Sequence, residues 1–217
     1  MTFVVFVVFR DPEVPTLLVA TTNPGKLREI RHILNGLPIE LRTLADMPAI
    51  EEPEETGRTF AENARLKALY YEAATGLPTV AEDSGLVIDA LNGEPGIHSA
   101  RYLGADASYP QRFAHIFREL QARGQPDSPA RFVCALALAR QGQIVYEAEG
   151  RVEGRMAREP RGTNGFGYDP IFYYPPYGRT LAEVGDDEKL AVAHRGEAFR
   201  QLREYLTDRT NSSGQVG

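Results

Sequence analysis

Two short stretches carry residue types suited to holding a nucleotide. Thr21-Thr22-Asn23-Pro24-Gly25-Lys26 follows the apolar run Leu17-Leu18-Val19-Ala20 and opens an amphipathic segment. That order predicts a strand-to-helix turn, with Asn23 as N-cap and Pro24 at the first helical position. A helix N-terminus offers free N–H groups and a positive dipole end, and Lys26 adds a full charge, so the turn is a ready anion site. Further along, Gly165-Phe166-Gly167-Tyr168-Asp169-Pro170 is a glycine-punctuated loop with two aromatics and a carboxylate, which suits a flat ring.

The carboxylates come next. Glu54-Glu55-Thr56-Gly57 lies in an acidic loop, and Glu82-Asp83-Ser84-Gly85 ends an apolar strand. Magnesium in phosphate enzymes takes one or two carboxylates and completes its shell with water and substrate phosphate. Taken alone, Glu55 reads as a solvated loop acid, whereas Asp83 is equally a turn residue capping a backbone N–H. Asn63 and Lys67 lie four apart on one helical face, although Lys67 alone fits a solvated lysine with a packed stem. In the last helix Arg195 falls inside the apolar stripe of Ala191, Ala198, Phe199, Leu202 and Leu206. A guanidinium there needs an anionic partner. With no acid close by on that face, either the helix breaks at Gly196 or the partner is a ligand. His194 alone also fits a satisfied, partly buried imidazole, and Lys189 a surface lysine.

Two familiar phosphate motifs are excluded. Asn23-Pro24-Gly25-Lys26-Leu27 lacks the long glycine loop and the Ser or Thr after Lys of a Walker loop. The glycines at 162, 165 and 167 have neither a strand before them nor a helix after them, as a dinucleotide fingerprint requires.

These residues must be positioned by regular elements. Apolar spacing predicts helices over 24–37, 59–75, 109–123 and 186–206. Strands are expected over 41–44, 79–82, 86–91 and 171–174, and a hairpin over 131–140 and 143–152 turns at Gln141-Gly142. Strands and helices mixed without strict alternation indicate an α/β fold with a mixed sheet. At 217 residues a single domain is expected over 16–208, with 1–15 as an extension outside the core fold and 209–217 as a disordered polar tail. The apolar octet 2–9 is too short to span a bilayer and lacks the basic flank of a signal peptide, so no membrane association is expected.

Composition narrows the function. A net charge of −6 argues against a protein that coats nucleic acid, because no basic stripe is available to displace counterions. Cys134 is the single cysteine, which excludes an internal disulfide and a cysteine metal site and fits a reducing cytoplasm. Its apolar neighbours predict a small buried strand residue.

Five ordered blocks carry a resemblance: TTNPGK, EETGRTFAENARLKA, EDSGL with PGIHSARY, GTNGFGYDPIF, and EKLAVAHRG. Over 16–206 the chain resembles the inosine triphosphate pyrophosphatases, which hydrolyse aberrant purine nucleotides. The resemblance implies an elongated two-lobed fold on a long mixed twisted sheet, a cleft between the lobes, a homodimer and Mg2+ as cofactor. It implies hydrolysis of ITP, dITP and XTP to the monophosphate and pyrophosphate. By motif, Thr21, Thr22, Asn23, Pro24, Gly25, Lys26 and Lys67 line the phosphate side. Glu55 and Asp83 hold magnesium, and Asp83 is also the catalytic proton acceptor. Ser84, Phe166, Gly167, Tyr168, Asp169, Lys189, His194 and Arg195 line the nucleotide pocket. Ala193 stands where Ser commonly precedes His-Arg, and Asn164 where Gly is common. The alternatives are a pyrophosphatase for pyrimidine or modified nucleotides and a nucleotide sensor without turnover, which needs no hydrolytic metal pair.

Overall fold

The computed structural model describes residues 15–213, so most of the expected extension and the last four residues of the tail lie outside the described residues. Strand β1 (Thr16–Val19) runs into helix α1 (Pro24–Leu34), which returns to β2 (Glu40–Thr43). Helix α2 (Phe60–Thr75) then leads back to β3 (Thr79–Ile88). Both β2 and β3 pair parallel to β1, on opposite sides, with Val19 level with Thr43 and Val80. The chain thus winds outward once and reverses across β1. In such sheets the crevice beyond the carboxyl end of the reversing strand is where ligands bind.

The rest of the sheet is antiparallel. Helix α3 (Tyr109–Ala122) precedes the long hairpin of β4 (Pro129–Arg140) and β5 (Gln143–Met156), followed by β6 (Phe172–Tyr174) and β7 (Arg179–Thr180). The sheet order is β2-β1-β3-β4-β5-β6-β7. The hairpin turns at Gln141 and Gly142, both at positive φ (54° and 72°), the conformation a tight two-residue turn requires. Two helices close the chain, α4 (Asp186–Val192) and α5 (His194–Ser213).

The sheet alternation divides the core into faces. Leu17, Val19, Cys134, Leu136 and Leu138 point to one face, where α1 and α5 cover them with Ile30, Leu34, Phe199 and Leu202. Leu18, Ala20, Ala81, Ala137 and Ala139 point to the other, against Ala64, Ala68 and Tyr71 of α2. Alanines on both sides let α2 lie close to the sheet. A further cluster around Ile88, Phe113, Ile116, Leu120, Phe132 and Phe172 forms the other half of the molecule. β4 and β5 run through both halves, which are the two lobes.

Three expectations change. The stretches 79–82 and 86–91 belong to one continuous strand, because Ser84 and Gly85 pair with Cys134 and Val133 of β4. The predicted last helix is two helices, broken at Ala193 rather than Gly196, with ψ of 145° at Ala193. A Cβ on Gly196 would lie 2.2 Å from the Leu190 carbonyl oxygen, so glycine is what allows α5 to start so close to the end of α4. Finally, α5 reaches Ser213, into the segment whose composition predicts a tail.

Candidate active site

The turn after β1 is built as its sequence dictates. Asn23 Oδ1 accepts the N–H groups of Gly25 (2.9 Å) and Lys26 (3.2 Å), and Pro24 occupies the first helical position. A Cβ on Gly25 would lie 2.6 Å from the Phe166 ring, so glycine is needed for the ring to rest on the start of α1. Lys26 points inward to Glu82 Oε1 at 2.8 Å.

One cavity of about 220 Å³ opens here, lined by Thr21, Thr22, Asn23, Lys26, Glu55, Lys67, Asp83 and Ser84 among others. Thr59 caps α2 by accepting the Glu62 N–H, and α2 carries Asn63 and Lys67 into the site. Asn63 donates to Asp83 Oδ2 at 3.0 Å. The Lys67 ammonium lies between Glu55 Oε1 (2.7 Å) and Asp83 Oδ1 (3.3 Å). Asp83 and Glu55 respond differently. Burial raises Asp83 above the ordinary carboxylate value, and the nearby Lys67 charge only partly opposes it. Burial also pushes Glu55 up, but its bonds to Lys67 and Arg101 outweigh it and hold the carboxyl below normal. Lys67 is buried too, yet Asp83 and Glu55 keep it firmly charged.

A second cavity of about 90 Å³ adjoins the first and shares Asn23, Lys26, Ser84 and Ala100 with it. Its walls include Phe132, Phe166, Gly167, Tyr168, Asp169, Lys189, His194 and Arg195. Asp169 Oδ2 accepts both the Phe166 N–H (2.8 Å) and Lys189 Nζ (2.7 Å), fixing the glycine loop to α4. Lys189 Nζ lies 4.4 Å from the Phe166 ring centre, within cation–π range. Tyr168 is buried, with its hydroxyl donating to the Ser99 carbonyl at 2.9 Å, so it supports the loop from behind rather than facing the cavity openly. His194 stacks on Phe132 at 4.9 Å and 14°. Burial, then the Arg195 charge, hold its imidazole well below the usual value, so it is neutral at physiological pH. Among the described residues its Nδ1 is the buried side-chain polar atom left without a hydrogen-bond partner.

Arg195 corrects an expectation. Its guanidinium is 2% exposed and held by the protein at each of its three nitrogens: Nε with Glu82 at 3.2 Å, Nη1 with Glu29 at 2.6 Å, and Nη2 donating to Ser84 Oγ at 2.9 Å. Anions of the protein itself, Glu82 and Glu29, balance its charge. Glu29 also takes Lys189 at 2.9 Å. Lys26, Glu82, Arg195, Glu29, Lys189 and Asp169 therefore form one continuous chain of ion pairs beneath both cavities.

All the predicted site residues thus gather at one cleft, although Pro24 and Gly25 shape it from outside the two linings. Glu29 was not anticipated. Its signal was present, three residues after Lys26 and hence on the same side of α1. Glu55 and Asp83, joined by one lysine, have the oxygen chemistry of a magnesium site that borrows phosphate oxygens for the rest of its shell. Among the described residues no group of three or more His, Cys, Asp and Glu side chains forms a closed metal cage, and such a site needs none.

The cleft joins a cavity lined by lysines and carboxylates to one with an aromatic wall, beside the point where the strand order reverses across β1. The Ham1 family model matches residues 17–205, and the chain belongs to that family. The dITP/XTP pyrophosphatase of Geobacter sulfurreducens is 47% identical over 190 residues, covering 88% of this chain and 96% of that protein. The dITP/XTP pyrophosphatase of Thermus thermophilus is 47% identical over 192 residues, covering 88% and 92%. The solved structure of a HAM1 protein from Coxiella burnetii superposes with a TM-score of 0.82 at 43% identity, covering 89% of this chain and 99% of that one.

Proposed function

We propose that the protein hydrolyses non-standard purine nucleoside triphosphates, ITP, dITP and XTP, to the monophosphate and pyrophosphate, removing them from the nucleotide pool. The observation that carries this reading is the pair of adjoining cavities, cationic and carboxylate-lined on one side and aromatic on the other, sharing Asn23, Lys26 and Ser84. That these relatives are dITP/XTP pyrophosphatases supports the same reading.

Glu55 and Asp83 are the residues that would hold Mg2+. Held by these two carboxylates, the ion would supply charge neutralisation for phosphate oxygens and a more acidic bound water. Asp83 accepts a hydrogen bond from the attacking water, aims it at the α-phosphorus and takes its proton. A dication beside it would lower the carboxylate's pKa, so placing the water is the larger part of this role and proton acceptance the smaller. Asn63 holds the Asp83 carboxylate in orientation, and Lys26 and Lys67 with the α1 N-terminus stabilise charge on the leaving pyrophosphate.

On the base side, Phe166 and the backbone N–H groups of its loop meet the purine, and neutral His194 brings its unpaired Nδ1. Hypoxanthine and xanthine present a 6-keto acceptor where adenine presents an amino donor. Each donor left facing an adenine amino group costs roughly 1–3 kcal/mol. The same reading includes a homodimer, which light scattering would check, and a cytoplasmic location, which suits the buried free thiol of Cys134. Among the described residues no helix is long and apolar enough to cross a membrane.

Steady-state rates on inosine, xanthosine, guanosine, adenosine and thymidine triphosphates, with separate detection of pyrophosphate and orthophosphate, test the proposal. Pyrophosphate release with kcat/KM highest for the inosine and xanthosine substrates is expected. Orthophosphate release, or equal rates on adenosine triphosphate, would overturn it.

A further inference from the structure

Both oxygens of Glu55 are taken by cations, and the two cations differ. Lys67, on Oε1, has a side chain only 10% exposed and is shared with Asp83. Arg101, on Oε2, has a side chain 40% exposed and spends one N–H of its five-donor fork on this contact. Its backbone is firmly placed. Arg101 ends the 3-10 turn Gly96–Arg101, in which Ser99 Oγ donates to the Gly96 carbonyl (2.7 Å) and accepts the Leu86 N–H (3.0 Å). The Ser99 carbonyl in turn receives the Tyr168 hydroxyl, so the turn is tied to β3 and to the glycine loop. Glu55, by contrast, lies in a stretch without regular structure ahead of α2.

Charge balance gives this contact a consequence. The phosphate-side cavity is lined by four acids, Glu52, Glu55, Glu82 and Asp83, against two cations, Lys26 and Lys67. A triphosphate brings still more negative charge. Lys26 and Lys67 can meet that charge, but each is already partly offset, Lys26 by Glu82 and Lys67 by Glu55 and Asp83. Among the described residues near the site, Arg101 has the exposure and the single side-chain contact that leave a cation able to change partner.

We propose that Arg101 is an exchangeable counter-ion: it neutralises Glu55 while the site lacks metal, and moves to a triphosphate oxygen when a divalent cation takes Glu55. This rests on the assignment of Glu55 to the metal made above. Arg101 then opposes metal binding in the absence of nucleotide and favours triphosphate binding in its presence. A residue that only braces the loop would help both.

The test is Mn2+ titration of the full chain without nucleotide, followed by electron paramagnetic resonance, together with KM for inosine triphosphate at saturating Mg2+. Arg101→Ala is expected to bind Mn2+ about two- to fivefold tighter, the worth of a partly exposed ion pair. Its KM should rise roughly tenfold, as for loss of one charge-assisted hydrogen bond. Arg101→Lys keeps the charge and should fall between, and a melting curve checks that both variants fold. Weaker Mn2+ binding in Arg101→Ala, or an unchanged KM, overturns the proposal. Glu55→Gln separates the two layers. If it binds Mn2+ like the wild type, the metal assignment fails and the exchange with it. If it loses Mn2+ while Arg101→Ala shows no tightening, the exchange alone fails.

Discussion

Replacing Arg195 with alanine should cost stability before it costs affinity. The side chain is 2% exposed and balances Glu82, itself 2% exposed, and Glu29, which is 14% exposed. Its removal leaves Glu82 buried with Lys26 as its remaining cation, and takes the donor from Ser84 Oγ. Removing one partner of a buried ion pair costs about 3–5 kcal/mol. In a chain of this length each kcal/mol moves Tm by roughly 2–4 °C, so a fall of roughly 6–20 °C is expected. The assay is thermal unfolding by circular dichroism without nucleotide, alongside KM for inosine triphosphate. Arg195→Met, which keeps much of the volume, should fall nearly as far, because the uncompensated carboxylates rather than the cavity dominate. If Arg195→Ala melts within about 2 °C of the wild type while KM rises strongly, the guanidinium is held for the ligand and the ion-pair argument is wrong.

Gly25→Ala should separate binding from stability. Its Cβ would meet the Phe166 ring at 2.6 Å, so KM should rise about tenfold or more, while the gain in helix propensity offsets part of any strain; an unchanged KM would show that the ring yields freely. Asp83→Asn should fold and bind nucleotide but lose about a hundredfold or more in kcat, since positioned acid–base groups contribute on that scale; near wild-type kcat would remove Asp83 from the chemistry. His194 gives a pH signature. Its folded pKa lies well below the unfolded value near 6.5, so the unfolded state binds the extra proton. Stability from this source is intact above pH 6.5 and falls by about 1.4 kcal/mol per pH unit below it. Urea unfolding of the wild type and His194→Phe between pH 8 and 5 should show the two stabilities diverging in the mutant's favour as pH falls, and parallel curves would contradict a neutral buried imidazole.

Local chemistry was readable where it was decisive. Asn23 and Pro24 set the start of α1, Thr59 and Gly76 set the ends of α2, and Gln141-Gly142 set the hairpin. Asp83-Ser84-Gly85 misled because its residues are turn formers, whereas pairing with β4 keeps them extended. Gly85 is there for space: a Cβ would lie 2.3 Å from Ser99 Oγ. The break at Ala193 carries no glycine or proline of its own and follows from how α4 and α5 pack. The partners of Arg195 lie 113 and 166 residues away along the chain, a separation no local pattern encodes. The candidate site residues, including the acids Glu55, Asp83 and Asp169 that hold Lys67 and Lys189, were recoverable as motifs, but Glu29 and the pairing of Glu82 with Arg195 were not.

The single turn of α1 that separates Lys26 from Glu29 gives the two ends of the cleft a shared thermodynamic fate. Lys26 answers to Glu82 on the phosphate side, and Glu29 answers to Lys189 and Arg195 on the base side. Occupancy at one end thereby biases the charge arrangement at the other, and such linkage is reciprocal. Any change of partner at Lys26 is felt by Glu82 and, through Arg195 and Glu29, by Lys189 beside the ring.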